Sequence, residues 1–454
     1  MRDIEFNLID EPWIRVITPN CQMREVGLRE ALIYAHEYRD LGGEMAAQDV
    51  AVLRLLIAIV HTVISRAAEV EDDNGDGTED EEISSVLQDC FKPLWSSGRF
   101  PEQQISDYLD KWHERFWLFH PDRPFYQVAS ITKGTWCDAA KLNGTASESG
   151  NKLRMFSMLA NEGKVSMSYA EAARWLLFIN GFDDCAAKQV DKSHGLRQMP
   201  IAWLGKLGLV IAIGENLFET IMLNMRMLNY GGMPWEYDRP VWEMSEVRSG
   251  ERVTVNMPEN LAELFTLQSR RILLKREAAR VTGYLLQGGD VLDDNGALDE
   301  PMTLWAKQID KETNVSVMRP LLHERARQIW REFGSMVEYD SDNKRPGVVA
   351  WVDILHRCRI LNKRNVTFRI VCMRYDSKLS SSITDSFSDA LSFHADLLNE
   401  VGKYWQMEVS RQIKKVESVA KAVQTLVIHI GVAAGRLNET ESLNELAAFA
   451  SLVT

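Results

Sequence analysis

The sequence predicts an α+β protein: a large mixed domain of irregular strands and helices over 1–381, then a small helical domain over 382–454. Three observations carry this. At 454 residues the chain exceeds what one hydrophobic core usually organises, so a second unit is expected. A short apolar run, Leu209 to Ile213, is followed by a Gly214-Glu215-Asn216 turn and an amphipathic segment, the pattern of a buried strand and an Asn-capped helix. Finally, the 73 residues after Ser381 read as a long helix over 383–434 and a second over 439–453, with Gly435 and Asn438 marking turn and cap.

The other elements follow in chain order. Phe6 to Val16 (FNLIDEPWIRV) reads as an extended edge strand interrupted by Pro12. Ala51 to Ile64 is an apolar helix, and a further helix is expected from about Ile83. Between them, Glu69 to Glu82 holds nine acids and no base, a pattern of solvated insertions. Asp72, Asn74, Asp76 and Gly77 mimic the opening of a calcium loop, but Ile83 stands where the bidentate Glu is required. Gln268 to Val281 reads as strand, turn, strand. A helix ending near Ile354 leads into a hairpin whose first strand is Val366 to Met373 and whose turn spans Tyr375 to Ser382.

Composition narrows the function classes. With 45% hydrophobic and 26% charged residues, the chain has the make-up of a soluble globular protein, and its acidic N-terminus is not that of a signal peptide. A cytoplasmic protein is expected. The six cysteines (Cys21, Cys90, Cys137, Cys185, Cys358, Cys372) include no CxxC pair, which supports neither a disulfide framework nor a zinc site. There is no phosphate loop, HExxH pair, GxSxG elbow or GxGxxG turn, so no catalytic residue, metal or cofactor is assigned. The formal charge of −13 is dominated by the acidic run, without which the remainder sums to −4.

Positive charge is concentrated in three places. Gln268 to Val281 carries five bases against one acid, and Ile354 to Lys378 carries seven against one. On the C-terminal helix, Lys403, Arg411, Lys414, Lys415 and Lys421 fall at about 0, 80, 20, 120 and 0° at 100° per residue, one face. Such a stripe suits a phosphate backbone, and a solvated helix face accounts for the same pattern.

A set of ordered blocks gives a more specific reading. FNLIDEPWIRV, Leu28 to Leu41, Phe116 to Val128, Asn151 to Ser157, Tyr169 to Phe182, Trp203 to Met225 and Glu300 to Lys307 occur in an order that resembles the CasA family, the large subunit of the type I-E CRISPR Cascade surveillance complex. The resemblance spans roughly residues 4 to 400 and implies a non-catalytic subunit. Such a subunit would recognise the protospacer-adjacent motif, help open the duplex and position a recruited effector helicase-nuclease. Implied partners are other Cascade subunits, the 5′ handle of the guide RNA, and target duplex DNA.

By the same resemblance, Arg154, Phe156 and Ser157 correspond to a guide-end loop, and Lys378, Leu379 and Ser380 to a strand-separating wedge at a hairpin tip. Leu379 stands where the family often has Gln, and an apolar wedge still unstacks a base step. The groove-facing loop corresponds to Asp183 to Lys188, here without glycine, and a groove-inserting lysine near Leu286 to Gly289 is missing. That leaves Ala187 and Lys188, or Lys275 and Arg276, at the groove. The family's C-terminal four-helix bundle is reduced here to two helices. Either a partner completes it or the effector-receiving surface is smaller. A scaffold contacting only RNA and protein is the alternative function; a metal-dependent nuclease would need a carboxylate cluster that no spacing reveals.

Overall fold

The computed structural model describes residues 4–71, 86–145, 162–191, 195–229, 232–233, 235, 239–244, 258–292, 299–310, 313–323, 328–337, 343–362, 365–375 and 383–434. In chain order the described strands are β1 (Glu5–Asn7), β2 (Ile14–Ile17), β3 (Met23–Val26), β4 (Asp40–Leu41), β5 (Trp117–Phe119), β6 (Thr135–Asp138), β7 (Ala186–Asp191), β8 (Gly195–Met199), β9 (Leu209–Ile213), β10 (Arg270–Glu277), β11 (Arg280–Gly288), β12 (Leu304–Ile309), β13 (Ser316–Leu321), β14 (Asn343–Lys344), β15 (Asn365–Tyr375) and β16 (Ile383–His394). They form five small sheets rather than one large one: β1-β5, β3-β2-β4, β10-β11-β7-β8 with β6 also on β11, β13-β12-β14, and β16-β15-β9. Helices fill the space between these sheets, giving the expected α+β class.

The centre is the helix Ala46–Glu71, whose residues from Val50 to Ser65 are buried on every face. A helix apolar all round needs neighbours on all sides. It has them in the helices Tyr169–Phe182, Leu217–Asn224, Leu261–Phe265 and Glu102–Trp112 and in the β15–β16 pair. The helix Tyr169–Phe182 begins at a capping box, in which the Ser168 hydroxyl accepts from the Glu171 N–H and Glu171 accepts from the Ser168 N–H. As the sequence predicts, Leu209–Ile213 is a buried strand and the Asn216 side chain caps the next helix by accepting from the Glu219 N–H.

Two expected elements differ from the structure. The block Phe6 to Val16 is not one edge strand, because a turn at 8–11 splits it into β1 and β2, and β2 is the central strand of its sheet. Pro12 lies between the strands, where its missing N–H costs no ladder bond. Residues 383–394 are a strand, not the start of the C-terminal helix. Their inward side chains include Phe387, Leu391 and Phe393 while Ser386, Ser388 and Ser392 face out, a period of two. The helix starts instead at Lys403.

The β10–β11 hairpin turns through Ala278 and Ala279, both left-handed at φ of 47 and 60°. A Cβ is disfavoured at both positions of such a turn. Replacing the pair with Asn-Gly is expected to raise stability by about 1–2 kcal/mol, read as an increased urea midpoint at unchanged slope.

One buried group gives a pH signature. His323 is 3% exposed, and burial pushes its imidazole down to about 4 despite hydrogen bonds with the backbone at Leu209 and Gly208. A pKa depressed in the folded state contributes stability above the unfolded value of about 6.5, lost as pH falls through the folded value. Between pH 7 and pH 4 the protein is expected to lose about 3 kcal/mol from this group. A His323→Gln variant should lack that component in urea titrations at the two pH values.

Candidate nucleic-acid interface

The C-terminal helix Lys403–Ala433 has no buried residue along its 31 positions. Among the described residues its first half is tied to the body, where Val409 and Ile413 pack against the core and Gln406 donates to the Leu397 carbonyl at 2.6 Å. Lys403, Arg411, Lys414, Lys415 and Lys421 are all exposed. From Lys403 to Lys421 the helix rises about 27 Å, the length of about eight base pairs. Lys403 pairs with Glu400 at 3.1 Å and Arg411 with Glu408 at 2.6 Å. Both pairs are exposed and cheap to exchange for a phosphate. The opposite face, at about 140–220°, carries exposed Trp405, Val416, Val419, Val423, Leu426 and Ile430. The helix therefore presents a cationic face and an apolar face at once.

The groove-facing residues are placed less simply. Ala187 is exposed on β7, and Lys275 is half-buried near the end of β10. Lys188 does not face an open groove. It is 2% exposed, and its ammonium is held by Asp183 at 2.9 Å, Asp184 at 3.3 Å and the Asp184 carbonyl at 2.8 Å. The physical reason is the neighbouring DD pair, which makes a buried lysine tolerable only as part of a satisfied cluster. Arg276 is likewise engaged: it pairs with Glu5, donates to the Tyr169 hydroxyl at 3.2 Å, and stacks 4.4 Å from the Phe119 ring centroid. The guide-end residues Arg154, Phe156 and Ser157 and the wedge residues Lys378, Leu379 and Ser380 lie outside the described residues, as do the calcium-loop mimic over 72–77 and the second C-terminal helix expected over 439–453.

Around Lys188 is a dense ionic cluster. Asp183 is fully buried and receives Arg270 at 2.5 Å as well as Lys188, while Asp184 receives Lys141 at 2.5 Å. Burial alone would raise the Asp183 carboxyl, but Lys188, Arg270 and Lys141 outweigh it and hold the group well below the ordinary range. The same field acts on neighbouring Cys137, whose thiol burial and Asp183 push up to about 12. That thiol is uncharged at neutral pH and is no nucleophile. Among the described residues no group of three or more His, Cys, Asp or Glu is arranged to hold a metal ion.

Among the described residues, the most exposed of the predicted site features is the cationic face of the helix Lys403–Ala433. Comparison with known proteins supplies the rest. The family model described as CRISPR-associated protein Cse1 matches residues 7–450. The chain belongs to the CRISPR-associated Cse1 family. A CasA/Cse1 protein of Thermus thermophilus is 32% identical over 340 residues, 73% of this chain and 60% of that relative. The chain thus aligns with 60% of that Cse1 protein's length. The crystal structure of Thermobifida fusca Cse1 superposes with a TM-score of 0.81 at 27% identity, covering 98% of this chain and 83% of that one. A chain of a structure titled a CRISPR RNA-guided surveillance complex shares the fold at a TM-score of 0.67 and 18% identity, covering 92% and 84%.

In this Cse1 chain the ordered sequence blocks are stitches of the core. Glu300 is 1% exposed and binds Arg54 through both oxygens at 2.8 and 2.9 Å, while also accepting from the Trp203 indole at 3.0 Å. Arg174 is 1% exposed and ties Glu44 at 2.6 Å and Glu25 at 3.0 Å to the Trp13 carbonyl at 2.6 Å. Asn224 closes on both the N–H and the carbonyl of Ala212 at 3.0 and 2.6 Å. Their partners lie far apart in sequence, so residue patterns alone do not reveal them.

Proposed function

We propose that this chain is the large, non-catalytic subunit of a type I-E CRISPR Cascade surveillance complex. In that complex it recognises the protospacer-adjacent motif, helps to open the target duplex for guide pairing and positions a recruited effector nuclease. Its partners are the other Cascade subunits, the 5′ handle of the guide RNA and duplex DNA, and it works in the cytoplasm. Protein readout of a short flanking duplex complements guide pairing, which supplies long-range sequence specificity.

The observation that carries this reading is the exposed cationic face of the helix Lys403–Ala433 on a chain of the Cse1 family. Lysines spaced over about 27 Å and free of deep burial suit a phosphate backbone, because each neutralised phosphate releases a condensed counterion. The chemistry asked of the subunit is binding and distortion of DNA, which needs no nucleophile or metal. One fact favours the scaffold alternative: Lys188 and Arg276, two of the cations assigned to the groove, are already engaged within the protein.

The two readings separate in a selection experiment. Guide-loaded complexes with and without the subunit are incubated with target duplexes carrying a randomised flanking motif, and the retained sequences are counted. Motif enrichment that disappears when the subunit is omitted supports the proposal. Enrichment that persists without it makes the subunit a scaffold.

A further inference from the structure

The buried ionic cluster lies between the β7–β8 hairpin and the β15–β16 hairpin, which the family resemblance associates with the groove and with the strand-separating wedge. The helix Tyr169–Phe182 ends on the Phe182 carbonyl, which accepts the Tyr375 hydroxyl at 2.6 Å. Tyr375 is the last residue of β15, next to the 376–382 segment that carries the expected wedge. The next residue along the chain from Phe182, Asp183, binds Lys188 of β7 and Arg270 of β10. Arg270 reaches on to the carbonyls of Asp184 at 2.9 Å and Pro200 at 2.7 Å, so it also holds the exit of β8. One three-residue stretch, Phe182 to Asp184, therefore ties the base of the β7–β8 hairpin to the loop end of the β15–β16 hairpin.

Three further observations indicate a built joint. The β15–β16 register shifts between Arg374 and Tyr375, and the β7–β8 register shifts between Gln189 and Asp191. Bulges re-aim side chains and bend the strand that carries them, and each here lies just before its hairpin tip. Gly205 makes room for the tyrosine: a Cβ there would stand 2.3 Å from the Tyr375 hydroxyl oxygen. Asp183 Oδ1 is buried with no hydrogen-bond partner among the described residues, although the cluster holds three cations for two carboxylates. A structural ion pair alone would be expected to saturate both oxygens.

We propose that Asp183, Lys188 and Tyr375 are positioning residues that lock the β7–β8 hairpin to the β15–β16 hairpin, so that engagement of the duplex by one sets the other for strand opening. This rests on the duplex-reading function proposed above. The hydroxyl of Tyr375 is the link most easily removed, since phenylalanine keeps the ring against Gly205.

The test uses reconstituted guide-loaded complex containing wild-type, Tyr375→Phe, Lys188→Met or doubly substituted subunit. Duplex affinity, permanganate reactivity of target-strand thymines at saturating complex, and the melting temperature of the free subunit are measured for each. Loss of one hydrogen bond corresponds to roughly a three- to tenfold change. Tyr375→Phe is therefore expected to slow opening roughly three- to tenfold, with duplex affinity within about twofold and melting little changed. The double variant should be no slower than the worse single one, because both substitutions release the same joint. Opening at the wild-type rate in Tyr375→Phe and Lys188→Met overturns the joint while leaving duplex reading intact. In Tyr375→Phe, affinity and melting that fall in parallel with opening also overturn it, since they mark a purely structural role. Wild-type complex that neither binds nor opens duplex through this subunit overturns both readings.

Discussion

Replacing Glu300 with alanine is expected to destabilise the protein by about 3–5 kcal/mol, the cost of leaving one member of a buried ion pair without its partner. Arg54 is 2% exposed and its guanidinium makes two bonds to Glu300, a further bond to the Leu264 carbonyl at 3.3 Å, and a cation–π contact 4.0 Å from the Phe265 ring centroid. Without the carboxylate, that charge stays inside a core of Leu, Trp and Phe, and the Trp203 indole and Met302 N–H lose their acceptor. A paired substitution, Arg54→Met with Glu300→Leu, should recover much of the loss by removing both charges. Urea unfolding of the three variants measures this directly. A Glu300→Ala midpoint within about 1 kcal/mol of wild type would mean that Arg54 finds water or another acceptor on deletion.

Changing Lys403, Lys414 and Lys421 together to alanine is expected to reduce duplex affinity of the assembled complex roughly 10²- to 10³-fold at about 0.1 M salt. The estimate follows from counterion release: each phosphate contact contributes about 0.9 to the slope of log K against log salt, so three contacts lower the slope by about 3. Because all three lysines lie on the exposed cationic face, the folded body should melt unchanged. Substituting Val419 and Val423 with serine on the apolar face provides the control, with the salt slope expected to hold. An unaltered slope in the lysine variant would show that DNA does not lie along this helix.

Much of the fold was legible because it depends on local pattern. The strand Leu209–Ile213 and its Asn216-capped helix, the β10–β11 hairpin and the end of the C-terminal helix near Ala434 all follow from short-range spacing. The misread segment 383–394 has a serine-rich outward face, and its period-two burial emerges only when Phe387, Leu391 and Phe393 are taken together. Its position beside a long helical pattern favoured extending that helix backward. In the candidate site, the exposure of the lysine stripe was legible from its helical spacing, and pairing at a distance was not. Nothing in DDCAAK indicates that Lys188 is consumed by Asp183 and Asp184, or that Arg270 and Tyr375 converge on the same three residues. The ordered blocks located the family, and the structure gives the reason for several of them: Trp13, Arg174, Trp203 and Glu300 make hydrogen bonds that hold separate parts of the chain together.

The central claim, that this subunit helps to open target duplex, is tested most directly by permanganate footprinting of thymines next to the flanking motif. Guide-loaded complex is assembled with and without the subunit at matched occupancy of target DNA. The account predicts reactive thymines only when the subunit is present, beginning at the motif-proximal end. Equal reactivity in both complexes would contradict it and leave the chain a scaffold.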